Sequence, residues 1–286
     1  MFTYNKIEQL RSYSTIFSNM SFLRLINEDD FSFIDKKIER FDNSFKRGNK
    51  TYRHYIKYVY DILSKDYRCE YIYKNTLINE LLGNRYSIKD TIAINEFKVA
   101  DSIVDLAMFN GTSKAFEIKT ELDSPKRLAT QLKDYRKLFN ECYIVTHESL
   151  SSKYLQEDSS IGIIILYNNN KTVRLEEIRP AKKILSIDPE IAIRCLRTKE
   201  YKNIIQNYYG EIPRVSSFKM FEECLSLLKD IPSDNLNSLI LLELKKRSLH
   251  KNVLTACPKE LKHICLSLNL SQGTFSVLEQ KLNQYI

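Results

Sequence analysis

The sequence predicts an α/β protein with a central mixed sheet flanked by helices and with helical N- and C-terminal extensions. Apolar residues recur at helical spacing before about residue 65 and after about residue 185, and between them lie short segments rich in Val, Ile and Phe. At 286 residues the chain can bury a sizeable core as one elaborated domain or two. Its 43% hydrophobic and 28% charged residues are typical of a folded protein.

The N-terminal region, 1–65, is predicted to be a basic helical extension, because FSFIDKKIERF and YIKYVYDIL both have helical periodicity. Its segment SFKRGNKTYRHYIKYVY contains no acid and interleaves tyrosines with five cations, Lys46, Arg47, Lys50, Arg53 and Lys57. Such a segment is typical of a surface that contacts nucleic-acid phosphates and stacks on bases. The alternative is a solvated basic helix face with its tyrosines packed inward.

The middle region, 66–184, is predicted to hold the sheet. Six segments have strand composition: TIAINEF, SIVDLAMF, KAFEIKT, CYIVTH, IGIIILY and KTVRLEEI. The segment 124–139 between the third and fourth is predicted to be a helix that packs on the sheet, with Ser124 as its N-cap and an apolar stripe of Leu128, Leu132, Tyr135 and Phe139. SLSSKYLQE is expected to add a helical turn, and the asparagines at 168–170 to form a hairpin tip.

The C-terminal region, 185–286, returns to helical periodicity. The longest apolar run, at 161–167, is too short to cross a bilayer, and the N-terminus lacks the apolar core of a signal peptide. We therefore expect a cytoplasmic protein with no membrane partner. The six cysteines are scattered and include no CxxC, which predicts free thiols. The spacing of Cys257, His263 and Cys265 matches no common zinc finger, so we expect no zinc site there.

The net charge of +8, from 44 Lys plus Arg against 36 Asp plus Glu, is compatible with a polyanionic partner. Composition alone does not select one.

Three charged residues lie on neighbouring predicted strands: Asp105 in SIVDLAMF, and Glu117 and Lys119 in KAFEIKT. Charges inside apolar strands cost free energy unless they are paired or coordinate something. Two carboxylates suit an open Mg²⁺ site that takes phosphate oxygens, where a lysine can orient or deprotonate the attacking water. The alternative is an exposed ion pair on a one-sided sheet.

Asp105 is followed by eleven residues and then by Glu117-Ile118-Lys119. This spacing resembles the signature of the PD-(D/E)XK nuclease superfamily. The predicted order of strand, strand, strand, helix and strand over 91–147 matches the restriction-endonuclease-like core of that superfamily. The segment also resembles a little-studied bacterial branch with a QxxxY-type motif at five further positions, Asp123, Arg127, Leu128, Gln131 and Tyr135. Val104 stands where the superfamily name has Pro, and the resemblance covers roughly residues 90–180.

The resemblance implies a deoxyribonuclease that uses Mg²⁺ or Mn²⁺. The implied metal ligands are Asp105, Glu117 and the backbone carbonyl of Ile118, with Lys119 as the catalytic lysine. Gln131, Tyr135 and Arg127 would place the DNA end or its phosphates. Many members add an upstream acid, for which Glu96 is the first candidate and Glu80 the second.

Two other readings stay open. The chain could be a nucleic-acid-binding module that keeps the nuclease fold without turnover. It could also be a regulatory or scaffolding protein whose terminal helices bind another protein or a second copy of the chain.

The turn between the second and third strands decides whether the predicted site exists. Opposed residues of an antiparallel pair share a face, and the Asn110-Gly111 signal for a two-residue hairpin would put Asp105 and Glu117 on opposite faces. We therefore predict a three-residue connection, or a bulge, that pairs Phe109 with Ser113 and sets Asp105 opposite Glu117.

Overall fold

The computed structural model describes residues 5–88, 90–121, 123–169, 172–247 and 251–286. It is an α/β structure in which a six-stranded mixed sheet is preceded and followed by helices, as the sequence predicts. The chain divides into two compact units, one of residues 1–85, 166–175 and 250–286 and the other of residues 86–165 and 176–249. The division along the chain into 1–65, 66–184 and 185–286 stays a prediction.

The chain begins with five helices: α1 (Lys6–Ser14), α2 (Asn19–Glu28), α3 (Ser32–Phe41), α4 (Tyr52–Asp66) and α5 (Glu70–Glu80). A buried carboxylate, Asp42, joins three segments of this region. The hydroxyl groups of Tyr13 and Tyr55 donate to its Oδ2 at 2.5 and 2.8 Å, and that of Tyr58 donates to Oδ1 at 3.1 Å. These donors replace the water that the charge loses on burial.

The sheet contains six strands in chain order: β1 (Ile92–Val99), β2 (Ser102–Phe109), β3 (Ser113–Lys119), β4 (Glu141–His147), β5 (Gly162–Asn169) and β6 (Thr172–Arg179). All six predicted strand segments are confirmed. Strand β2 pairs antiparallel with both β1 and β3, whereas β3 pairs parallel with β4. A parallel pair needs a crossover connection, and helix α6 (Leu128–Tyr135) lies in it.

The predicted helix at 124–139 is too long at both ends. A 3-10 turn, Pro125–Arg127, precedes α6, so Ser124 does not cap the α-helix. At the other end the N–H groups of Lys137 and Leu138 donate to carbonyls three residues earlier, a pattern that tightens and ends the helix. The predicted apolar stripe is nevertheless buried in full: Leu128, Leu132, Tyr135 and Phe139.

The predicted helical turn in SLSSKYLQE is present as α7 (Ser151–Tyr154). The predicted hairpin tip at 168–170 extends beyond the described residues. Within the described residues, seven α-helices follow the sheet: α8 (Pro189–Cys195), α9 (Thr198–Tyr209), α10 (Met220–Lys229), α11 (Ser233–Lys245), α12 (Lys251–Ala256), α13 (Lys262–Ser267) and α14 (Gln272–Leu282). Among the helices that the structure describes, none is long and apolar enough to cross a bilayer.

A buried histidine gives the first unit an expected sensitivity to acid. Burial, with a smaller contribution from Lys74, lowers the pKa of His263 to about 3. The unfolded chain has a histidine pKa of about 6.5, so His263 stabilises the fold above that pH and this contribution is lost as the pH falls toward 3. We expect His263→Gln to flatten the decline of the urea midpoint between pH 7 and pH 5. An identical decline in both proteins would contradict this.

Candidate active site

The connection between β2 and β3 has the register that the site requires. Phe109 lies opposite Ser113, so Asn110, Gly111 and Thr112 form a three-residue connection, as predicted. Gly111 has φ +97°, which glycine adopts without a Cβ clash. The paired positions continue to Leu106 opposite Phe116, and the next position on each strand holds Asp105 and Glu117.

Two charged side chains of β3 are buried next to each other. Glu117 is 2% exposed and Lys119 is 8% exposed, so the alternative of an exposed ion pair is wrong. The Lys119 ammonium lies 2.7 Å from Glu117 Oε1 and 3.2 Å from Gln131 Oε1. Two oxygen acceptors therefore fix the direction of the lysine head group.

The third charged residue, Asp105, contacts the same strand from β2. Its Oδ2 accepts a hydrogen bond from the backbone N–H of Ile118 at 2.8 Å. Burial raises the pKa of Glu117, and the negative charge of Asp105 raises it further, against the opposing effect of Lys119. The site therefore contains one buried carboxyl whose ionisation is disfavoured by a second carboxylate nearby.

Helix α6 contributes a tyrosine hydroxyl to this cluster. Tyr135 Oη lies 2.5 Å from Glu117 Oε2 and 2.7 Å from the Ile103 carbonyl oxygen. The Tyr135 hydroxyl is the donor in both contacts, so its one proton is shared between the Glu117 carboxyl on β3 and the backbone of β2. Burial and the charge of Glu117 raise the pKa of Tyr135, which keeps the phenol neutral.

The first candidate for an added acid has an unusual backbone. Glu96 is exposed on β1 and has a positive φ of +54°. Its neighbours Asn95 and Phe97 pair with Leu106 and Val104 of β2, whereas Glu96 itself has no assigned pair. The register places it opposite Asp105. Positive φ in a strand is strained for a residue with a side chain, and such strain is concentrated at functional sites. The second candidate, Glu80, is the last residue of α5.

The remaining motif residues differ in role. Arg127 is exposed in the 3-10 turn before α6. Asp123 closes the turn after β3, because its Oδ2 accepts from the backbone N–H and the hydroxyl of Thr120 at 2.7 and 2.8 Å.

The sequence did not predict a role for Thr146 on β4, whose hydroxyl donates to the Lys119 carbonyl at 2.7 Å. No signal in the sequence connects Thr146 with the site, since the parallel β3–β4 pairing alone brings them together.

The donor set is compatible with a hard divalent cation. Within the described residues there is no group of three His, Cys, Asp or Glu side chains placed to hold a metal ion. Asp105, Glu117 and the Ile118 carbonyl offer oxygen donors only, and Mg²⁺ prefers oxygen and usually keeps several waters. A cation would also offset the repulsion that raises the pKa of Glu117. These residues fit an open Mg²⁺ or Mn²⁺ site.

The basic segment of the first unit packs part of its tyrosines inward, while Tyr58 is exposed. Tyr55 and Tyr60 are buried, and Tyr52 donates to Asp35 at 2.9 Å. Three of its cations have acidic neighbours: Lys46 with Glu39 at 3.1 Å, Arg53 with Glu279 at 3.7 Å, and Lys57 with Asp61 at 2.5 Å. Arg47 and Lys50 are exposed. Nucleic-acid binding by the five cations stays a prediction.

The raised pKa of Glu117 predicts how a substitution there changes the melting temperature of the metal-free protein. The raised pKa means that Glu117 contributes stability below the unfolded value of 4.5, and this contribution is lost as the pH rises through the folded pKa. Because Gln resembles the protonated acid, we expect Glu117→Gln to melt at the same temperature or slightly higher at pH 7, with the difference shrinking at pH 4. A marked drop at pH 7 would show that the pair with Lys119 is structural.

Comparison with known proteins shows two similarities to phage P4. The family described as Bacteriophage P4 protein cII matches residues 63–264. The "Protein cII" of Enterobacteria phage P4 is 30% identical over 172 residues, which cover 59% of this chain and 64% of that protein. The match thus spans slightly less than two thirds of the relative's length.

A solved structure of a protein of unknown function from Silicibacter pomeroyi is also similar, at 12% identity over 44% of this chain and 86% of that one. Its TM-score of 0.29 is too low to support an argument about fold. The family match, in contrast, includes every strand of the sheet and all the residues of the candidate site. It extends over more than half of the chain, from 63 to 264, and the chain therefore belongs to the family of bacteriophage P4 protein cII.

Proposed function

We propose that this chain is a metal-dependent nuclease that hydrolyses DNA phosphodiester bonds. The observation that carries the proposal is the buried pair of Glu117 and Lys119 beside Asp105, in a register that the hairpin signal alone would not produce. A buried lysine and two carboxyls on adjacent strands cost free energy, and a site for phosphodiester chemistry supplies a reason for all three. The match to the superfamily signature supports the same reading.

Asp105, Glu117 and the Ile118 carbonyl would hold Mg²⁺ or Mn²⁺. When bound, the metal would lower the pKa of water and neutralise charge on the phosphate. Tyr135 contacts Glu117 Oε2, and so orients that carboxyl and limits its rotation. Asp105 Oδ2 accepts from the Ile118 N–H at 2.8 Å, and this contact fixes the direction of the Asp105 carboxylate.

Lys119 is the cation that would act on the scissile phosphate. Its ammonium is held by Glu117 and Gln131, with neither contact longer than 3.2 Å. From this position the Nζ hydrogens can orient the attacking water and stabilise the negative charge that develops on the phosphate. Gln131 acts through Lys119 and is a positioning residue.

The direct test is incubation of the purified protein with linear, circular and single-stranded DNA in Mg²⁺, Mn²⁺ or EDTA, with RNA in parallel. We expect cleavage of DNA with either metal and none with EDTA. If the folded protein cleaves no DNA with either metal, the nuclease proposal is wrong. Binding without cleavage would instead support a nucleic-acid-binding module.

The basic segment gives a separate prediction about DNA affinity. Arg47 and Lys50 are exposed, and in the described part of the chain neither has an acidic partner. If both contact phosphates, Arg47→Ala with Lys50→Ala should flatten the slope of log affinity against log salt by about two units on duplex DNA. Lys229→Ala is the control, because Lys229 is exposed on α10, outside the basic segment. An unchanged slope in the double variant would assign the segment to an ordinary solvated surface.

A further inference from the structure

A cavity of about 770 Å³ lies within the second unit, next to the turn that joins β1 and β2. Its walls come from that turn, from the segment after α6, and from α8, α9 and α10. The volume lies within the range of small-molecule sites and is far larger than a single phosphate needs. The lining residues that matter for binding are Lys98, Asp101, Lys137, Arg194, Tyr201 and Phe221.

The walls of the cavity are tied together by hydrogen bonds. Cys195 Sγ donates to the Lys98 carbonyl at 3.4 Å, which joins α8 to β1. Arg247, just after α11, donates to both carboxylate oxygens of Glu200 on α9 at 2.7 Å each. It also donates to the carbonyl of Cys195, the last residue of α8, at 3.0 Å, so it connects the three helices. The cavity is therefore a preformed feature of the unit.

The charges around the cavity favour an anion. Lys98, Lys137 and Arg194 line it against one acid, Asp101. Lys137 is held at 2.8 Å by Asp134, and Arg194 has only an exposed contact of 3.5 Å with Glu190. In the part of the chain that the structure describes, Lys98 has no acidic partner within 4.0 Å. At least one cation is thus available to a ligand phosphate.

The aromatic and aliphatic residues of the lining suit a planar apolar group. Phe221 meets Tyr201 edge to face with ring centroids 6.2 Å apart, and the Arg194 guanidinium lies 5.5 Å from the centre of the Phe221 ring. Ile193 and Leu196 add aliphatic surface. Aromatic rings and arginine planes are the groups on which nucleic-acid bases stack, and this stacking tolerates any sequence.

The cavity and the candidate active site share one β-hairpin. Lys98 lies opposite Ile103 in the β1–β2 ladder, and the Ile103 carbonyl contacts the Tyr135 hydroxyl that also contacts Glu117. Asp105 follows Ile103 by two residues, about 7 Å along an extended strand. The cavity-lining Lys98 and the site residue Asp105 therefore lie two positions apart along this hairpin.

We propose that this cavity binds one nucleotide of the DNA strand whose neighbouring phosphate lies at Asp105, Glu117 and Lys119. The nucleotide phosphate pairs with Lys98 and Arg194, and its base packs on the wall formed by Phe221. The inference rests on the proposed nuclease function and adds a binding subsite that selects an unpaired nucleotide.

The test measures binding without cleavage. The Lys119→Met protein in EDTA is titrated with a fluorescent single-stranded oligodeoxynucleotide, with and without the further pair Lys98→Ala and Arg194→Ala. Lys229→Ala on the same background is the control, because Lys229 is exposed on α10 and does not line the cavity. We expect the cavity pair to weaken binding about tenfold and to flatten the salt slope by about one to two units. The control should change neither.

Competition with a deoxynucleoside monophosphate, with inorganic phosphate and with the nucleoside distinguishes the sources of the ligand. Stronger displacement by the monophosphate than by either part supports a site for both phosphate and base. Equal oligonucleotide affinity in all variants overturns the inference, even if the wild-type protein cleaves DNA. Binding of the monophosphate at the cavity with unchanged oligonucleotide affinity also overturns it, in favour of a free-nucleotide site. Cavity-dependent oligonucleotide binding by a protein that never cleaves DNA would support the subsite and refute the nuclease.

Discussion

Substitution of Lys119 by Met is expected to lower the rate of DNA cleavage by about 10²- to 10⁴-fold, the range seen when an acid–base group or an electrostatic stabiliser is removed. Met keeps the length and the apolar stem of lysine, so the β3 backbone and its pairing with β4 should be preserved. The loss should appear in the rate at saturating DNA, because the missing ammonium acts on the charge that develops in the transition state.

The matched control is Lys114→Met. Lys114 is also a buried lysine of β3 and is also paired with a glutamate, Glu141, yet it does not belong to the candidate site. We expect Lys114→Met to cleave DNA at a rate close to that of the wild-type protein, with melting temperatures recorded for both variants. Equal cleavage by Lys119→Met and the wild-type protein would contradict the role proposed for Lys119. Equal losses in the two variants would indicate damage to β3.

Substitution of Phe139 by Ala is expected to destabilise the second unit by about 3–5 kcal/mol. Phe139 is 1% exposed, and its ring centroid lies 5.8 Å from that of Phe97 and 5.8 Å from that of Phe109. Truncation would leave a cavity beside the two rings of Phe97 and Phe109, which cannot collapse without moving both strands of the β1–β2 hairpin. Because this hairpin carries Asp105, cleavage should be lost at temperatures where the variant unfolds.

The control for Phe139 is Phe218→Ala, which removes the same side chain from a position that is 95% exposed. Its effect should stay within about 0.5 kcal/mol, because the ring buries little surface. Urea unfolding of the three proteins measures both differences. Similar midpoints for Phe139→Ala and the wild-type protein would show that the aromatic cluster is not a stabilising core.

The elements of this fold could be predicted because their signals are local. The period of apolar residues separates strands such as SIVDLAMF from helices such as YIKYVYDIL within ten residues or so. The bounds of α6 could not be predicted in this way. Ser124 and Pro125 are a good helix start by sequence, but the chain forms a 3-10 turn first and delays the α-helix to Leu128.

The basic segment shows the limit of composition. Its tyrosines could stack on bases or pack inward, and the sequence allows both. The structure buries Tyr55 against Asp42 because the carboxylate needs hydroxyl donors in an apolar environment.

The sequence by itself determined the residue types of the candidate site, their spacing, and the order of strands and helix that carries them. The sequence also predicted that Asp105 and Glu117 can share a face only if the two-residue Asn-Gly turn is replaced by a longer connection or corrected by a bulge. Only the tertiary structure decided that this register is adopted against the Asn-Gly signal, that Glu117 and Lys119 are buried, and that a cavity joins Lys98 to Phe221. The physical reason is range: propensity and periodicity act over a few residues, whereas register, burial and cavities depend on contacts between segments far apart in the chain.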